Sequence, residues 1–76
     1  MSERDNFITY DKLLEYKREL QELKTVKRME IVQKLKVARG LGDLSDNPVY
    51  DTLKEEQFAV EQRINELTAI LKKFQA

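Results

Sequence analysis

The spacing of apolar residues in the second half of the chain predicts a long helix with one apolar face. Apolar side chains recur there at alternating intervals of three and four residues, interrupted only by Gln57. The positions are Tyr50, Leu53, Gln57, Val60, Ile64, Leu67, Leu71 and Phe74. This is the a/d repeat of a coiled coil. Pro48 suits the first helical position, where no amide hydrogen is needed, so we expect a helix over residues 48–75.

The first half of the chain repeats the pattern with one irregularity. The heptad is kept by Leu13, Tyr16, Leu20 and Leu23, and is resumed by Ile31, Leu35 and Ala38. Between these runs the strict positions fall on Lys27 and Glu30. We therefore expect the apolar seam to shift its phase towards Val26 or Met29, as a coiled-coil stutter does, without ending the helix.

The ends of this first helix carry capping signals. Thr9 is a candidate N-cap, and Gly40 or Gly42 is a candidate stop, so we expect a helix over residues 10–40. Each helix has one apolar stripe that needs cover, and folding back across a short turn supplies it. The predicted fold is all-α: one domain over residues 1–76, a long antiparallel two-helix coiled-coil hairpin with a tip at 41–47. Dimerisation through the same stripes is the alternative, and the turn chemistry favours a monomer.

The formal charge of zero conceals a division along the chain. Between residues 24 and 39 six basic residues face one acid, whereas residues 40–51 hold three acids and no base. The bases are Lys24, Lys27, Arg28, Lys34, Lys36 and Arg39, and the acids are Asp43, Asp46 and Asp51. A basic shaft leading to an acidic tip is therefore expected. Because the tip is acidic, nonspecific binding to duplex DNA is the weakest functional hypothesis.

Composition narrows the possible chemistry. The chain has no Cys and no His, which excludes disulfides, thiolate nucleophiles, His bases and the usual zinc sites. Any reactive group must therefore be a carboxylate, an amine or a hydroxyl. No apolar run approaches the length of a membrane span and the first residues do not resemble a signal peptide, so we expect a cytoplasmic protein without membrane contacts.

The segment at the expected tip resembles a known family. Its sequence, residues 38–50, reads Ala-Arg-Gly-Leu-Gly-Asp-Leu-Ser-Asp-Asn-Pro-Val-Tyr. It is similar to the tip of the bacterial GreA and GreB transcript cleavage factors: Ala-Arg, two variable residues, Gly-Asp-Leu, one variable residue, an acid, Asn, two variable residues and Tyr. The resemblance extends over about residues 8–71. It implies the N-terminal coiled-coil domain of a transcription elongation factor.

The resemblance implies a mechanism as well as a fold. Gre factors insert this hairpin into the secondary channel of bacterial RNA polymerase when the 3′ end of the nascent RNA is backtracked. The tip acids, here Asp43 and Asp46, then help to hold a catalytic Mg²⁺ shared with the polymerase, which itself hydrolyses the RNA. The isolated chain is expected to bind no cofactor and not to be an enzyme. Two carboxylates at this spacing are also common in turns, and Asp46 is shorter than the Glu usual in the family.

Other residues near the tip acquire roles from the same resemblance. Arg39 and Lys54 are candidates for contacts with RNA phosphates, and Leu44, Asn47 and Tyr50 are candidates for contacts with RNA or polymerase. For Tyr50 the heptad favours a place in the apolar seam, and its ring could also stack on a base. For the lysines behind the tip, a solvated helix face is a sufficient explanation.

The resemblance also implies what this stretch lacks. Gre factors continue into a C-terminal domain that docks on polymerase, and we do not expect that domain within residues 1–76. A longer protein and a naturally short relative both fit this expectation. Two rival functions remain: a Gre-like inhibitor that occupies the same channel, and a structural coiled-coil adaptor whose tip acids are incidental.

Overall fold

The computed structural model describes residues 8–40 and 48–74, and nearly all of them are helical. Helix α1 covers Tyr10–Glu22, and it continues through a π-helical turn at Leu23–Lys27 into helix α2 at Arg28–Arg39. Helix α3 covers Pro48–Phe74. The tip residues 41–47 lie outside the described residues, so their predicted loop is not among the elements described here.

The helices pack as an antiparallel hairpin, which confirms the predicted all-α coiled-coil fold. Both α1 and α2 contact α3, and the molecule measures 52 × 26 × 16 Å along its principal axes. Helix α3 therefore runs without interruption along one side of a thin rod. The first arm of the hairpin, on the other side, consists of α1 and α2 joined by the π turn. Within residues 8–40 and 48–74, no helix is long and apolar enough to cross a membrane.

The apolar seam of α3 is buried as its heptad predicts. Its buried members are Leu53, Val60, Ile64, Leu67 and Leu71, and they are joined from α2 by Ile31, Leu35 and Ala38. Leu67 and Ile31 are the most enclosed, with 0% and 1% of their surfaces exposed. Burial of these side chains supplies the main driving force for closing the hairpin, since apolar burial contributes about 25 cal/mol per Å².

Helix ends follow the capping signals in the sequence. The Thr9 hydroxyl accepts a hydrogen bond from the Lys12 amide at 3.1 Å, which confirms the predicted N-cap. Helix α3 begins at Pro48, as expected for a proline at the first helical position. Gly40 caps α2, but its φ of −73° is right-handed. The helix therefore ends there without the left-handed conformation that usually favours glycine.

The irregularity of the first helix has a different form from the one predicted. Leu23 and Ile31 are eight residues apart, one more than a heptad, and the π turn accommodates the additional residue through an Arg28 amide bond to the Leu23 carbonyl. Lys27 remains half-buried beside the seam. The expected shift towards Val26 or Met29 is wrong, because these side chains are 47% and 60% exposed.

Candidate functional site at the tip of the hairpin

The end of α2 and the start of α3 lie at the same end of the rod. Arg39 is the last residue of α2, and Pro48 is the first residue of α3. Residues 41–47 connect them. The proposed acids Asp43 and Asp46, with Leu44 and Asn47, lie in this segment and outside the described residues. Their metal and contact roles therefore stay predictions.

The two predicted phosphate contacts are exposed on the helices that enter the tip. Arg39 is exposed at the end of α2. Lys54 is exposed in the second turn of α3, where its Nζ donates to the Gln57 Oε1 at 3.4 Å. That contact is long and lies on the surface, so it holds Lys54 only weakly. Both side chains are accessible to an approaching anion.

Tyr50 belongs at least partly to the seam. It is half-buried and packs against the core cluster formed on the tip side of the hairpin. Leu53, one turn further along α3, is buried in that cluster. This placement confirms the seam position of Tyr50, whereas its contact with RNA or polymerase stays a prediction. The first turns of α3 are therefore held by packing close to the tip.

Exposed basic residues extend from the tip along the outside of α2 and the π turn. Lys24, Lys34, Lys36 and Arg39 are all exposed. Lys27 lies 3.9 Å from the carboxylate of Glu30 within the same helix, which is a weak surface pair. The positive charge predicted from the sequence is therefore exposed to solvent along α2 and the π turn.

An ion pair joins α2 to α3 just beyond the π turn. Arg28, the first residue of α2, donates two hydrogen bonds to the Glu61 carboxylate, from Nε at 2.8 Å and from Nη2 at 2.7 Å. This bidentate geometry is the strongest form of such a pair. The hydrogen bonds from Arg28 lower the pKa of the Glu61 carboxyl, and those same bonds raise the pKa of Arg28.

A second ion pair holds α1 on the other side of the π turn. Arg63 donates to both carboxylate oxygens of Glu19, at 2.7 and 3.0 Å, and also to Glu66 on its own helix. Its guanidinium lies 5.7 Å from the centre of the Tyr16 ring, within cation–π distance. Hydrogen bonding to Arg63 lowers the pKa of Glu19, and the two carboxylates raise the pKa of Arg63.

The interhelical pairs were not predicted from the sequence, although a signal for one of them was present. Glu19 immediately precedes the seam residue Leu20, and Arg63 immediately precedes the seam residue Ile64. Positions that flank the seam of a coiled coil often carry opposite charges that bridge the helices. Arg28 could not be assigned in this way, because its position depends on the π turn.

Candidate metal ligands are found in the tip segment. Among residues 8–40 and 48–74, no group of three or more acidic side chains is arranged to hold a metal ion. The acids of the tip segment, Asp43 and Asp46, are carboxylates, which are suitable ligands for Mg²⁺. Proteins usually bind this ion through one or two carboxylates together with waters or substrate oxygens, so the donor chemistry fits a shared site.

Comparison with known proteins identifies the family. Residues 6–75 match the family described as "Transcription elongation factor, N-terminal", the GreA and GreB N-terminal domain. The chain is 50% identical over 72 residues to the transcription elongation factor GreA of Lachnoclostridium phytofermentans, covering 95% of this chain and 45% of that relative. GreA of Clostridium perfringens strain SM101 shows the same identity, with 46% of its length covered.

GreA of Staphylococcus aureus strain JH9 is 56% identical over 55 residues, which is 72% of this chain and 35% of that relative. No solved structure matches the chain. The chain spans less than half the length of these curated relatives. With the family match covering nearly all of its residues, the chain belongs to the GreA/GreB N-terminal domain family of transcription elongation factors.

Proposed function

We propose that this chain is the channel-entering arm of a transcription elongation factor and stimulates cleavage of backtracked RNA by bacterial RNA polymerase. Membership of the GreA/GreB N-terminal family is the observation that carries the proposal. The long hairpin with a short segment at its end supports it, since a narrow rod can carry side chains into a channel that a globular domain cannot enter. The polymerase and the 3′ end of the backtracked RNA are the partners.

The acids of the tip segment supply the chemistry in this proposal. Asp43 and Asp46 would hold a Mg²⁺ ion together with carboxylates of the polymerase. When bound, such an ion stabilises the attacking and leaving oxygens of phosphodiester hydrolysis. Two carboxylates are too few to form a tight site alone, so the chain acts only within the polymerase complex. It is an accessory factor, and the polymerase remains the enzyme.

The residues around the tip hold the RNA and fix the direction of the acids. Arg39 and Lys54 would neutralise phosphates of the extruded RNA, and their exposure on the two helices that enter the tip supports this role. Leu44, Asn47 and Tyr50 complete the contact surface. Tyr50 also packs on the core cluster, which holds the first turn of α3 against α2. The proposed site of action is the cytoplasm, where polymerase works, and the proposed active form is a monomer.

The test is RNA cleavage in stalled, backtracked elongation complexes with excess chain and Mg²⁺. We expect the wild-type chain to accelerate cleavage and the double variant Asp43→Asn, Asp46→Asn to abolish the acceleration. A matched control, Asp51→Asn with Glu55→Gln, removes two negative charges from exposed positions in the first turns of α3. This control should cleave at the wild-type rate, because its residues are not part of the proposed site.

Other outcomes separate the rival functions. Slower elongation without cleavage would indicate an inhibitor that occupies the channel, and no effect and no polymerase binding would indicate a structural adaptor. Because the chain covers less than half of its GreA relatives, the assay should be repeated with the hairpin fused to a polymerase-docking domain. Such a domain raises the effective concentration of the tip. Failure of the fused chain to stimulate cleavage contradicts the proposal.

A further inference from the structure

The two sides of the π turn are packed to different degrees. Helix α2 contributes three buried residues to the core, whereas neither α1 nor the π turn contributes any. The core cluster on the tip side contains Ile31, Leu35 and Ala38 together with residues of α3, and Leu20 and Leu23 only border it. Leu67 and Leu71 are buried in the second half of α3, but no residue of α1 itself is fully buried. Since local opening costs less for an element that buries less of its own apolar surface, α1 is held more weakly than α2.

Besides the half-buried apolar residues Leu20 and Leu23, a polar contact holds the first helix on α3. The Arg63 guanidinium binds Glu19 and lies against Tyr16, and these side chains are on the surface or half-buried. The Arg63 and Glu19 side chains are 37% and 39% exposed. Such a pair restrains the position of α1 on α3. It contributes less to stability than buried packing does, because solvent screens it.

The π turn changes the hydrogen-bond pattern between α1 and α2. Its i→i+5 bond from the Arg28 amide to the Leu23 carbonyl replaces the regular ladder at this point. Helical cooperativity depends on an unbroken ladder in which each residue extends the preceding turn. The additional residue in the heptad is thus located between α2, which has three buried residues, and α1, which has none.

We propose that the π turn divides the hairpin into two cooperative units: a tip unit of α2 with the first half of α3, and α1 as a strap that opens first. Opening of α1 leaves the tip core of Ile31, Leu35 and Leu53 intact. This inference concerns the fold and holds whether or not the chain stimulates RNA cleavage.

Native-state hydrogen exchange tests the division directly. In the wild-type chain we expect amides of residues 16–22 to exchange at least roughly tenfold faster, after correction for intrinsic rates, than amides of residues 31–37. Equal opening free energies for both segments would overturn the proposal. Exchange is measured on the chain as it is, without any polymerase, so the result is independent of the cleavage assay.

A matched pair of variants localises the effect. Glu19→Gln removes the acceptor on α1, and Glu66→Gln removes an acceptor of the same Arg63 within α3. We expect Glu19→Gln to accelerate exchange several-fold in residues 16–22 and to leave residues 31–37 unchanged. Glu66→Gln should leave both segments close to wild type. Equal acceleration of both segments by Glu19→Gln would show a single cooperative unit.

Deletion of Val26 tests the role of the additional residue. This exposed residue lies within the π turn. Its removal places the seam residues Leu20, Leu23, Ile31 and Leu35 in an uninterrupted heptad, with Arg28 at the intervening position. We expect a continuous helix and exchange rates in the two segments that converge to within about threefold. An unfolded deletion variant, or rates that stay as far apart as in wild type, would contradict the proposal.

Discussion

The tip side of the hairpin, formed by α2 and the first half of α3, and its base side, formed by α1 and the second half of α3, are stabilised in different ways. On the tip side, Ile31 and Leu35 are buried in a core cluster with Leu53. On the base side, Leu67 and Leu71 of α3 are buried but the seam residues of α1 are only half-buried, and a bidentate pair between Arg63 and Glu19 joins α3 to α1. On the tip side both arms of the hairpin therefore contribute buried side chains, whereas on the base side the buried residues among those described all belong to α3.

The π turn explains where the change occurs. A heptad that continued without interruption past Leu23 would turn Glu30 and Lys34 into the seam. By accommodating one additional residue, the π turn instead directs Ile31 and Leu35 towards α3. Burial of two charges without partners would cost far more than the irregular turn does. The sequence therefore tolerates a weak point in the shaft in exchange for an apolar core near the tip.

The largest expected effect is the contrast between two leucines. Leu35→Ala should lower the free energy of unfolding by about 2–5 kcal/mol, because it leaves a cavity in the core cluster. Leu20→Ala removes the same atoms from a half-exposed position of α1 and should cost only about 1 kcal/mol. Urea unfolding followed by circular dichroism measures both. Equal costs would show that the two sides are packed alike.

The regular parts of this contrast were predictable, and the irregular parts were not. The α3 heptad predicted Leu53, Val60 and Ile64 as buried, because a repeat of three and four residues fixes one helix face. Thr9 and Pro48 marked helix starts because their effects are local. The residues of the candidate site were suggested by the Gre-like sequence pattern, and the described helices show Arg39 and Lys54 exposed beside the tip.

The π turn escaped prediction because apolar spacing alone has two solutions. A gap of eight residues between Leu23 and Ile31 can be met by a phase shift towards neighbouring apolar residues or by a local change in helix type. Val26 and Met29 made the first solution attractive. Which of the two occurs depends on how the whole first arm of the hairpin packs against α3. That packing favours burial of Ile31, Leu35 and Ala38, which follow the π turn. Arg28 reaches Glu61 only as a consequence of that choice.

A smaller effect is expected from the ion pair on the base side. Arg63→Met should lower the free energy of unfolding by only about 1 kcal/mol, because solvent screens a pair whose side chains are more than one-third exposed. It also leaves Glu19 and Glu66 without their shared guanidinium. Thermal unfolding in low salt is the measurement.

The control for this change is Arg63→Lys, which keeps the charge but loses the planar, bidentate geometry. We expect it to recover part of the lost stability and none of the two-point contact. If Arg63→Met were as costly as Leu35→Ala, the base side would depend on the pair as strongly as the tip side depends on its core. The two halves would then differ in kind and not in strength.

The smallest expected effect is a dependence of stability on acidic pH. The pKa of Glu19 and that of Glu61 are both lowered from 4.5, chiefly by hydrogen bonds from Arg63 and Arg28. A carboxyl whose pKa is lower in the folded state contributes stability above its unfolded pKa and loses it as pH falls through the folded value. Thermal midpoints should therefore decrease below about pH 4.5, and the double variant Glu19→Gln, Glu61→Gln should show a shallower decrease than wild type.

A high-salt series at each pH should reduce the difference, because both pairs are exposed and screened. Single variants then assign the effect to one side of the π turn: if only Glu19→Gln changes the slope, the acid-sensitive contact is the one that holds α1, and the packed tip side is indifferent to pH. Parallel slopes for wild type and the double variant would mean that neither pair persists in solution.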